Sequence, residues 1–313
     1  MANQGTYPHT IVIGGPTSSG KSALALALAR RVGGVLINAD SMQLYREIPI
    51  LSGQPDTAEQ KMAPHELYGV MSIAAQSSAA SWQKLASAKI ADVLAQGKLP
   101  ILVGGTGLYF RALMDGLSDI PDVDAATRAK VQEILDSDGV EGLRRELLSR
   151  DPVMAARLKP NDKQRTARAL EVIMQTGQSL ANFQGNRAGQ NEMRYTLITL
   201  LPPRAEIYAR CETRFDAMLK SGALDEVKAI EAMPSLPNNT ALKAKGIPEL
   251  RAFLRGEMAR DEAVAMAKTK TRQYAKRQYT WFRNQMNPDI MIDMVIHSGN
   301  ADQYAADIGQ KIK

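Results

Sequence analysis

Residues 14–22 read GGPTSSGKS and place glycines, hydroxyl groups and a lysine at a spacing suited to holding phosphate. In the pattern G-x-x-x-x-G-K-[ST], a glycine-rich turn aims backbone N–H groups at phosphate oxygens, and the lysine adds a positive charge. The serine hydroxyl can hold Mg²⁺, and the following helix contributes its positive N-terminus. The predicted phosphate-binding loop (P-loop) consists of Gly15, Pro16, Thr17, Ser18, Ser19, Gly20, Lys21 and Ser22. Nucleotide hydrolysis, phosphoryl transfer and departure of a diphosphate all need this loop, so it leaves the reaction open.

Two further segments carry polar groups directly after apolar runs. Asp40 closes the segment VLINAD, and Thr106 lies in the glycine-rich segment GGTGLYFR. Positions of this kind bind ligands in parallel sheets. A carboxylate there can bind magnesium, act as a general base, or cap the next helix, and the sequence leaves these roles open. The Thr106 turn brings backbone and a hydroxyl group close to a ligand, or it is an ordinary turn between a strand and a helix.

The elements around these segments predict an α/β fold. Short apolar runs occur at 10–14, 35–40 and 101–107, and stretches with helical composition occur at 21–31 and 81–97. Strands that alternate with helices predict a parallel sheet flanked by helices, here of the P-loop NTPase type. The three polar segments would then meet at the edge formed by the carboxyl ends of the strands.

A helical insertion is predicted in the middle of the chain. After Asp115 a break rich in Pro and Asp, SDIPDVD, is followed by helical patterning, a polar stretch and a renewed apolar run, RYTLITL. We expect an inserted helical domain at 121–194, and a catalytic core made of 1–120 and 195–313 whose last part is again helical.

Composition excludes several classes of protein. The chain has 313 residues, 39 Lys and Arg against 33 Asp and Glu, a formal net charge of +6 and 44% hydrophobic residues, which excludes disorder and a coiled coil as descriptions of the whole. Cys211 alone cannot form an internal disulfide, and the three histidines lack metal-ligand spacing. The sequence shows neither a secretory signal nor an apolar stretch long enough to span a membrane. We expect a cytoplasmic protein without a membrane partner, and nothing in the sequence demands more than a monomer.

The positive charge concentrates in two basic segments, RLKPNDKQRTAR at 157–168 and KTKTRQYAKRQYTWFR at 268–283. The first has five cations and one acid, and the second has no acid and interleaves aromatic residues with its cations. Such density is typical of contact with a nucleic-acid backbone, and the aromatic residues are typical of stacking on RNA bases. Solvated helix faces also carry charge runs, and Trp281 and Phe282 fit a buried face, so the cations are the better RNA candidates.

The motifs GPTSSGKS, DSMQLYR, GGTGLY, PNDKQRTARALEV and TRQYAKRQYTWFR, in this order, resemble the bacterial tRNA dimethylallyltransferases (tRNA isopentenyltransferases) from Gly15 to Arg283. The resemblance implies transfer of a dimethylallyl group from dimethylallyl diphosphate to N6 of adenosine 37, beside the anticodon of tRNA. The P-loop would hold the diphosphate leaving group, with Mg²⁺. Ile247 and Pro248 depart from the pattern, because many members carry Tyr and Lys there.

The resemblance also implies roles for single residues. Asp40 would be the general base that accepts the N6 proton, with Thr17 and Thr106 as hydrogen-bonding partners near the reacting atoms. Arg214, or else Arg210, would neutralise the diphosphate, and we expect Arg214. Ser22 and Asp40 would bind Mg²⁺. Contacts with tRNA are implied for Asp40, Ser41, Met42, Gln43, Thr106, Arg128, Gln164, Arg165, Thr166, Ala167, Arg168, Lys276 and Arg277.

Two other functions fit part of the sequence. A small-molecule or nucleoside kinase shares the P-loop and the strand-end carboxylate, but it gives no reason for the acid-free segment 268–283. A non-catalytic, nucleotide-gated RNA-binding protein explains both basic segments, but it leaves Asp40 and the GGTGLY turn without a task.

Overall fold

The structure is a computed structural model that describes residues 9–185, 187–188, 193–233 and 240–312. Its strands are β1 His9–Gly14, β2 Val35–Asn38, β3 His65–Glu66, β4 Pro100–Gly104, β5 Leu117–Ser118, β6 Arg187–Ala188, β7 Arg194–Leu200 and β8 Ile290–Ile292. Its helices are α1 Lys21–Val32, α2 Pro49–Ser52, α3 Thr57–Met62, α4 Ala79–Ala95, α5 Gly107–Asp115, α6 Ala125–Arg150, α7 Pro152–Arg157, α8 Lys163–Thr176, α9 Leu180–Phe183, α10 Arg204–Lys220, α11 Ala223–Glu231, α12 Ile247–Leu254, α13 Arg260–Gln285 and α14 Ala301–Lys311. Residues 114–190 form one compact unit, and the rest of the chain forms another.

The larger unit is built on a six-stranded sheet in the order β3-β2-β4-β1-β7-β8, and every pair in it is parallel. Its central strands are almost wholly apolar and buried, as expected for a parallel sheet covered by helices on both faces. Gly14 of β1 pairs with Gly104 of β4, and Val103 of β4 pairs with Asn38 of β2. The three strands therefore end level with one another, which confirms the predicted fold and brings the three polar segments to one edge.

Helices cover the sheet and extend the larger unit. On one side α1 and α14 bury Leu24, Leu28 and Ile308 against residues of the sheet. A second cluster forms around Phe215, Val227 and Ile247, contributed by helices α10, α11 and α12. The inner face of α13 carries small or apolar buried residues at helical spacing, with one polar exception, Gln278. None of the helices in the described part of the chain has both the length and the apolar character needed to cross a membrane.

The smaller unit is helical, with a core shared by α6, α7, α8 and α9 and one antiparallel strand pair, β5 with β6. Helix α6 is kinked at Gly139, which has a left-handed φ of 67°. The unit spans 114–190, whereas the sequence predicted 121–194. The unit begins earlier than predicted because it includes the end of α5 and strand β5, which come before Pro121, whereas the prediction placed the boundary within the break rich in Pro and Asp.

Candidate active site

The P-loop lies where the sequence predicts it, between the end of β1 and the start of α1. Gly20 adopts a left-handed φ of 93°, and a Cβ there would fall 1.9 Å from the carbonyl oxygen of Ile296. Glycine is required at this position for both reasons. Ser18 is also left-handed (φ 64°) and buried. Such strain in a non-glycine residue concentrates at ligand-binding loops.

Lys21 projects from the first turn of α1, and its Nζ donates to the carbonyl oxygen of Pro16 at 3.2 Å. Burial lowers the pKa of Lys21 to about 8; the negative charge of Asp40 opposes this shift and the positive charge of Arg214 adds to it. A lysine with a lowered pKa regains its proton when an anion binds beside it. The loop is therefore electrostatically suited to an anionic ligand.

A cavity of about 560 Å³ opens beside the P-loop, and its wall includes Ser18, Gly20, Lys21, Ser22, Arg210 and Arg214. The exposed Arg210 donates from Nε to the carbonyl oxygen of Ser18 at 3.0 Å. Arg214 is half-buried, and burial lowers its pKa. Within the described part of the chain neither arginine forms an ion pair, so their charges are available to a ligand. We call this space the phosphate cavity.

A second cavity, of about 80 Å³, is lined by Thr17, Asp40, Met42, Tyr274 and other residues. Ser18 and Arg214 line both cavities, so the two spaces adjoin. We call the smaller space the reaction cavity. Lys21 and Ser22 face the larger space, whereas Thr17 and Asp40 face the smaller one.

Asp40 both caps a turn and faces the reaction cavity. Its Oδ1 accepts from the backbone N–H of Met42 at 3.0 Å, which closes the turn that begins at Ser41. Its own backbone N–H donates to Oδ1 of Asn38 at 2.8 Å, and the Nδ2 of Asn38 donates back to its carbonyl oxygen. These bonds fix the position of the carboxylate, so the capping role and a catalytic role are compatible.

Thr106 and its neighbours hold the Asp40 loop from the side. The Oγ1 of Thr106 accepts from the backbone N–H of Ser41 at 3.0 Å and donates to the Oγ of Ser41 at 3.4 Å. Burial raises the pKa of Tyr274, and the charge of Asp40 adds to the rise, so the phenol stays protonated. The Nε2 of Gln43 donates to the carbonyl oxygen of Gly53 at 2.7 Å. Thr106 and Gln43 are two of the candidate tRNA contacts, and the hydroxyl group of Thr106 and the side-chain NH2 of Gln43 are thus engaged within the protein.

Gln278 belongs to the surroundings of the site, and the sequence motifs did not single it out. It lies on the inner face of α13, and its Oε1 accepts from the backbone N–H of Thr17 at 2.9 Å. Its Nε2 donates to the carbonyl oxygen of Gly105, also at 2.9 Å. The only signal in the sequence is a polar residue at helical spacing from Phe282 and Ala275, which are buried. That signal does not reveal the partners, since they lie more than 170 positions away in the chain.

The basic segment 268–283 lies within α13 and divides into paired and unpaired cations. Lys268 forms an ion pair with Asp216 of α10 (2.7 Å), and Arg272 forms one with Glu212 of the same helix. Helix α10 therefore supplies the acids that the segment itself lacks. By contrast, Lys276 and Arg277 are exposed and form no ion pair in the described part of the chain.

The aromatic residues of that segment pack within the protein. Phe282 is buried, as predicted, and approaches Gly14. Trp281 is half-buried, and its ring would meet a Cβ added at Gly107 within 2.4 Å, so it covers the GGTGLY turn.

The two residues that depart from the family pattern, Ile247 and Pro248, have structural places of their own. Ile247 is fully buried in the core, and Pro248 lies in the first turn of α12.

In the smaller unit the candidate tRNA contacts differ in exposure. Arg128 of α6 and Gln164 and Arg165 of α8 are exposed, whereas Ala167 and Arg168 are half-buried. Arg165 pairs with Asp162 at 3.5 Å and Arg168 pairs with Glu171 at 3.3 Å. The predicted tRNA contact at Thr166 is wrong. This residue is 1% exposed on the inner face of α8, so its side chain is not available to RNA.

The two groups expected to bind Mg²⁺ face different cavities. Ser22 is exposed in the phosphate cavity, and Asp40 faces the reaction cavity with Oδ1 already hydrogen-bonded to Met42. No cluster of three or more His, Cys, Asp or Glu side chains suited to a metal occurs among the described residues. Mg²⁺ accepts few protein ligands when substrate phosphates and water complete its octahedron. Ser22 fits such a site beside a bound diphosphate.

Comparison with known proteins points to one family. A family model described as IPP transferase matches residues 43–285, and one described as Isopentenyl transferase matches residues 8–68. The tRNA dimethylallyltransferase of Rhodopseudomonas palustris (strain BisB18) is 48% identical over 280 residues, which are 89% of each chain. The tRNA isopentenylpyrophosphate transferase of Bacillus halodurans has a similar crystal structure (TM-score 0.69, 33% identity, 98% of this chain and 97% of that one). A eukaryotic dimethylallyltransferase acting on tRNA is also similar, with a TM-score of 0.80 and 28% identity over 96% of this chain and 77% of its own.

Proposed function

The chain belongs to the IPP transferase family, and on that premise we propose that it transfers a dimethylallyl group from dimethylallyl diphosphate to N6 of adenosine 37 in tRNA. The observation that supports this reaction best is the pair of adjoining cavities, which share Ser18 and Arg214. One cavity has the cations and N–H groups that a diphosphate needs. The other has a carboxylate and a threonine, which suit a nucleophile that must lose a proton.

Asp40 is the proposed general base. The lone pair of the adenine N6 amine is delocalised into the ring, so the amine is a poor nucleophile until its proton is removed. As the bond from N6 to the allylic carbon forms, the bond from that carbon to the diphosphate oxygen breaks, and the N6 proton passes to Asp40. The bond that Oδ1 accepts from Met42 and the two bonds that the Asp40 backbone makes with the Asn38 side chain hold Asp40 in place for this transfer. Thr17, in the same cavity, is the proposed hydrogen-bonding partner of the reacting atoms.

We propose that the P-loop stabilises the negative charge that develops on the departing diphosphate. Lys21, the loop N–H groups and the N-terminus of α1 surround the phosphate cavity, and such preorganised donors stabilise a leaving anion without reorganising. Arg214 extends this charge to the boundary with the reaction cavity, where the breaking bond would lie. Mg²⁺, held by Ser22 and diphosphate oxygens, would neutralise further charge on the leaving group.

Contacts with tRNA are proposed for exposed cations of both units. In the larger unit these are Lys276 and Arg277 on α13. In the smaller unit they are Arg128 on α6 and Arg165 on α8, together with Gln164, which precedes Arg165. The target adenosine must leave the stacked anticodon loop to reach a base-modifying site, at a cost of a few kcal/mol that RNA contacts offset.

The proposed compartment is the cytoplasm, because the substrate is tRNA. We also propose a monomer, since one chain supplies each group named in the reaction.

One experiment tests the reaction against transfer of phosphate. The purified protein is incubated with Mg²⁺ and with a tRNA that has three consecutive adenosines at positions 36 to 38. One arm contains dimethylallyl diphosphate labelled in the prenyl group, and the other contains ATP labelled in the γ-phosphate. We expect label in RNA only from the prenyl donor. Label from ATP would indicate a kinase, and binding without label from either donor would indicate a non-catalytic RNA-binding protein.

A further inference from the structure

A single buried amide joins two of the three loops around the site. Gln278 is 5% exposed, on an inner face of α13 that otherwise carries Ala275 and Phe282. Burying an amide costs free energy unless its donor and acceptor are both satisfied. Here both are satisfied, since Thr17 N–H donates to Oε1 and Nε2 donates to the carbonyl oxygen of Gly105.

The two partners lie just beyond the point at which their strands stop pairing. The pairing of β1 with β4 ends at Gly14 and Gly104, and Gln278 bridges the loops that follow. Its amide accepts from one loop and donates to the other, as a peptide group does between two strands. A Cβ on Gly105 would lie 2.2 Å from Nε2, so the close approach requires glycine. Reversing the amide would place donor against donor and acceptor against acceptor, so one orientation is fixed.

Both loops lead directly to reacting groups. Thr17 lines the reaction cavity, as Asp40 does, and the residue after Gly105 is Thr106, which accepts from the N–H of Ser41. Gln278 itself lines neither the phosphate cavity nor the reaction cavity. The side chain therefore acts on the site through its two backbone partners.

We propose that Gln278 is a positioning residue for the transfer reaction. It sets the separation between the P-loop and the loop of Gly105 and Thr106. Through the bond from Ser41 to Thr106, it also sets the placement of the loop that carries Asp40. The inference rests on the proposed function, because the separation matters for a reaction between a diphosphate ester in one cavity and an amine in the other. A displacement of about 1 Å in such a site reduces the rate by about 100-fold. We expect the loss in kcat, since Lys21, Arg210 and Arg214, the cations proposed to bind the donor, have hydrogen-bond partners other than Gln278.

The test compares Gln278→Glu with Gln278→Leu in single-turnover and steady-state prenyl transfer between pH 6 and pH 8. The ionised carboxylate that Gln278→Glu introduces repels the carbonyl oxygen of Gly105, so we expect this variant to lose about 100-fold in kcat at pH 8. The protonated carboxyl group reproduces the amide, because its O–H donates to Gly105 and its C=O accepts from Thr17. Burial raises the pKa of such a carboxyl group, so activity relative to wild type should rise at least tenfold towards pH 6. Gln278→Leu should lose kcat at every pH without this recovery.

Gln273→Glu is the matched control, because it adds the same charge on the exposed side of the same helix. We expect its kcat relative to wild type to stay constant with pH. Prenyl transfer by the wild type is measured first, so failure of the proposed function is seen separately. With an active wild type, a kcat of Gln278→Leu within threefold of it would overturn the inference. If Gln278→Leu does not fold, as judged by thermal unfolding, a flat ratio of Gln278→Glu to wild type across this pH range overturns it instead.

Discussion

Asp40 combines the cap of a turn with a place in the wall of the reaction cavity. Oδ1 is held by the N–H of Met42, and the side chain as a whole faces the reaction cavity. Asp40→Asn keeps an oxygen that can accept from Met42 and removes the basic carboxylate. A general base contributes about 10²–10⁴-fold to a rate. We therefore expect kcat for prenyl transfer to fall by about that factor, measured by single turnover, with little change in the dissociation constant for tRNA.

Asp40→Ala is the companion variant, because it removes the cap as well as the base. Its kcat should fall at least as far, and its thermal stability should fall too, since loss of a capping side chain costs about 1 kcal/mol. Unchanged turnover of Asp40→Asn would remove Asp40 from the base role, whatever Asp40→Ala did.

The lowered pKa of Lys21 predicts that binding of the prenyl donor depends on pH. Its pKa is lowered to about 8 by burial, so the fraction that carries a charge falls as the pH rises through 8. A bound diphosphate favours the charged form and raises the pKa again. The contribution of Lys21 to the affinity for dimethylallyl diphosphate should be constant below about pH 7 and weaken above pH 8, by up to about tenfold per pH unit. Isothermal titration calorimetry in buffers of different ionisation enthalpy should also detect proton uptake on binding at a pH of about 8.5.

The control for this titration is Lys21→Met, which cannot take up the proton. Its affinity should be weaker at pH 7 and should lose the dependence above pH 8. If Lys21→Met kept both the affinity and the pH dependence of the wild type, the phosphate would not be bound by this loop.

At the scale of elements, a feature can be predicted from the sequence when the residues that form it lie close together in the chain. The P-loop and the polar ends of β2 and β4 are visible in short motifs, because a strand, a turn and a helix start within a few residues of each other. The bridge formed by Gln278 is not visible, because its two partners lie on loops after β1 and β4, far away in sequence. The same reason explains the cations of α13: the acids that neutralise Lys268 and Arg272 lie on α10.

Helix α13 offers a matched comparison of exposed and paired cations. Lys276→Ala with Arg277→Ala removes two exposed charges, and Lys268→Ala with Arg272→Ala removes two that are paired with α10. Each cation that contacts a phosphate contributes about 0.7 to 0.9 to the slope of log affinity against log salt concentration. The first double variant should weaken tRNA binding and reduce that slope by about 1.5. Filter binding at several salt concentrations measures it.

The second double variant should leave the slope of the wild type unchanged, with at most a modest loss of thermal stability from two partly exposed ion pairs. Equal slopes for both double variants would show that the exposed side of α13 does not contact RNA.

At the scale of the whole molecule, the net charge of +6 combines two kinds of cation. Some are neutralised by neighbouring acids, as at Lys268, and others are exposed in each of the two units, as at Arg277 and Arg128. Counting charged residues along the sequence identifies the two basic segments and predicts a nucleic-acid partner. It does not separate the paired cations from the exposed ones, because the pairing acids lie elsewhere in the chain. The extent of the insertion was equally hard to read, because its first elements are the end of α5 and a two-residue strand, neither of which has a distinct pattern.

The smaller unit should contribute to tRNA binding and not to donor binding. Arg128→Ala with Gln164→Ala removes two exposed polar side chains. We expect a several-fold rise in KM for tRNA, because a phosphate contact is lost, and no change in KM for dimethylallyl diphosphate. Arg145→Ala is the control, since Arg145 also lies on α6 but pairs with Asp138. An equal effect of Arg145→Ala on KM for tRNA would argue against a specific contact at Arg128.

The central claim is that the product is a prenylated adenosine at one position of tRNA. The most direct measurement is liquid chromatography with mass spectrometry of nucleosides and of ribonuclease fragments, after reaction of the pure protein with dimethylallyl diphosphate and an unmodified tRNA transcript. We predict N6-(dimethylallyl)adenosine, located in the fragment that contains position 37, and its absence when that adenosine is replaced by guanosine. An unmodified transcript, or a prenyl group that persists after the replacement, would contradict the account.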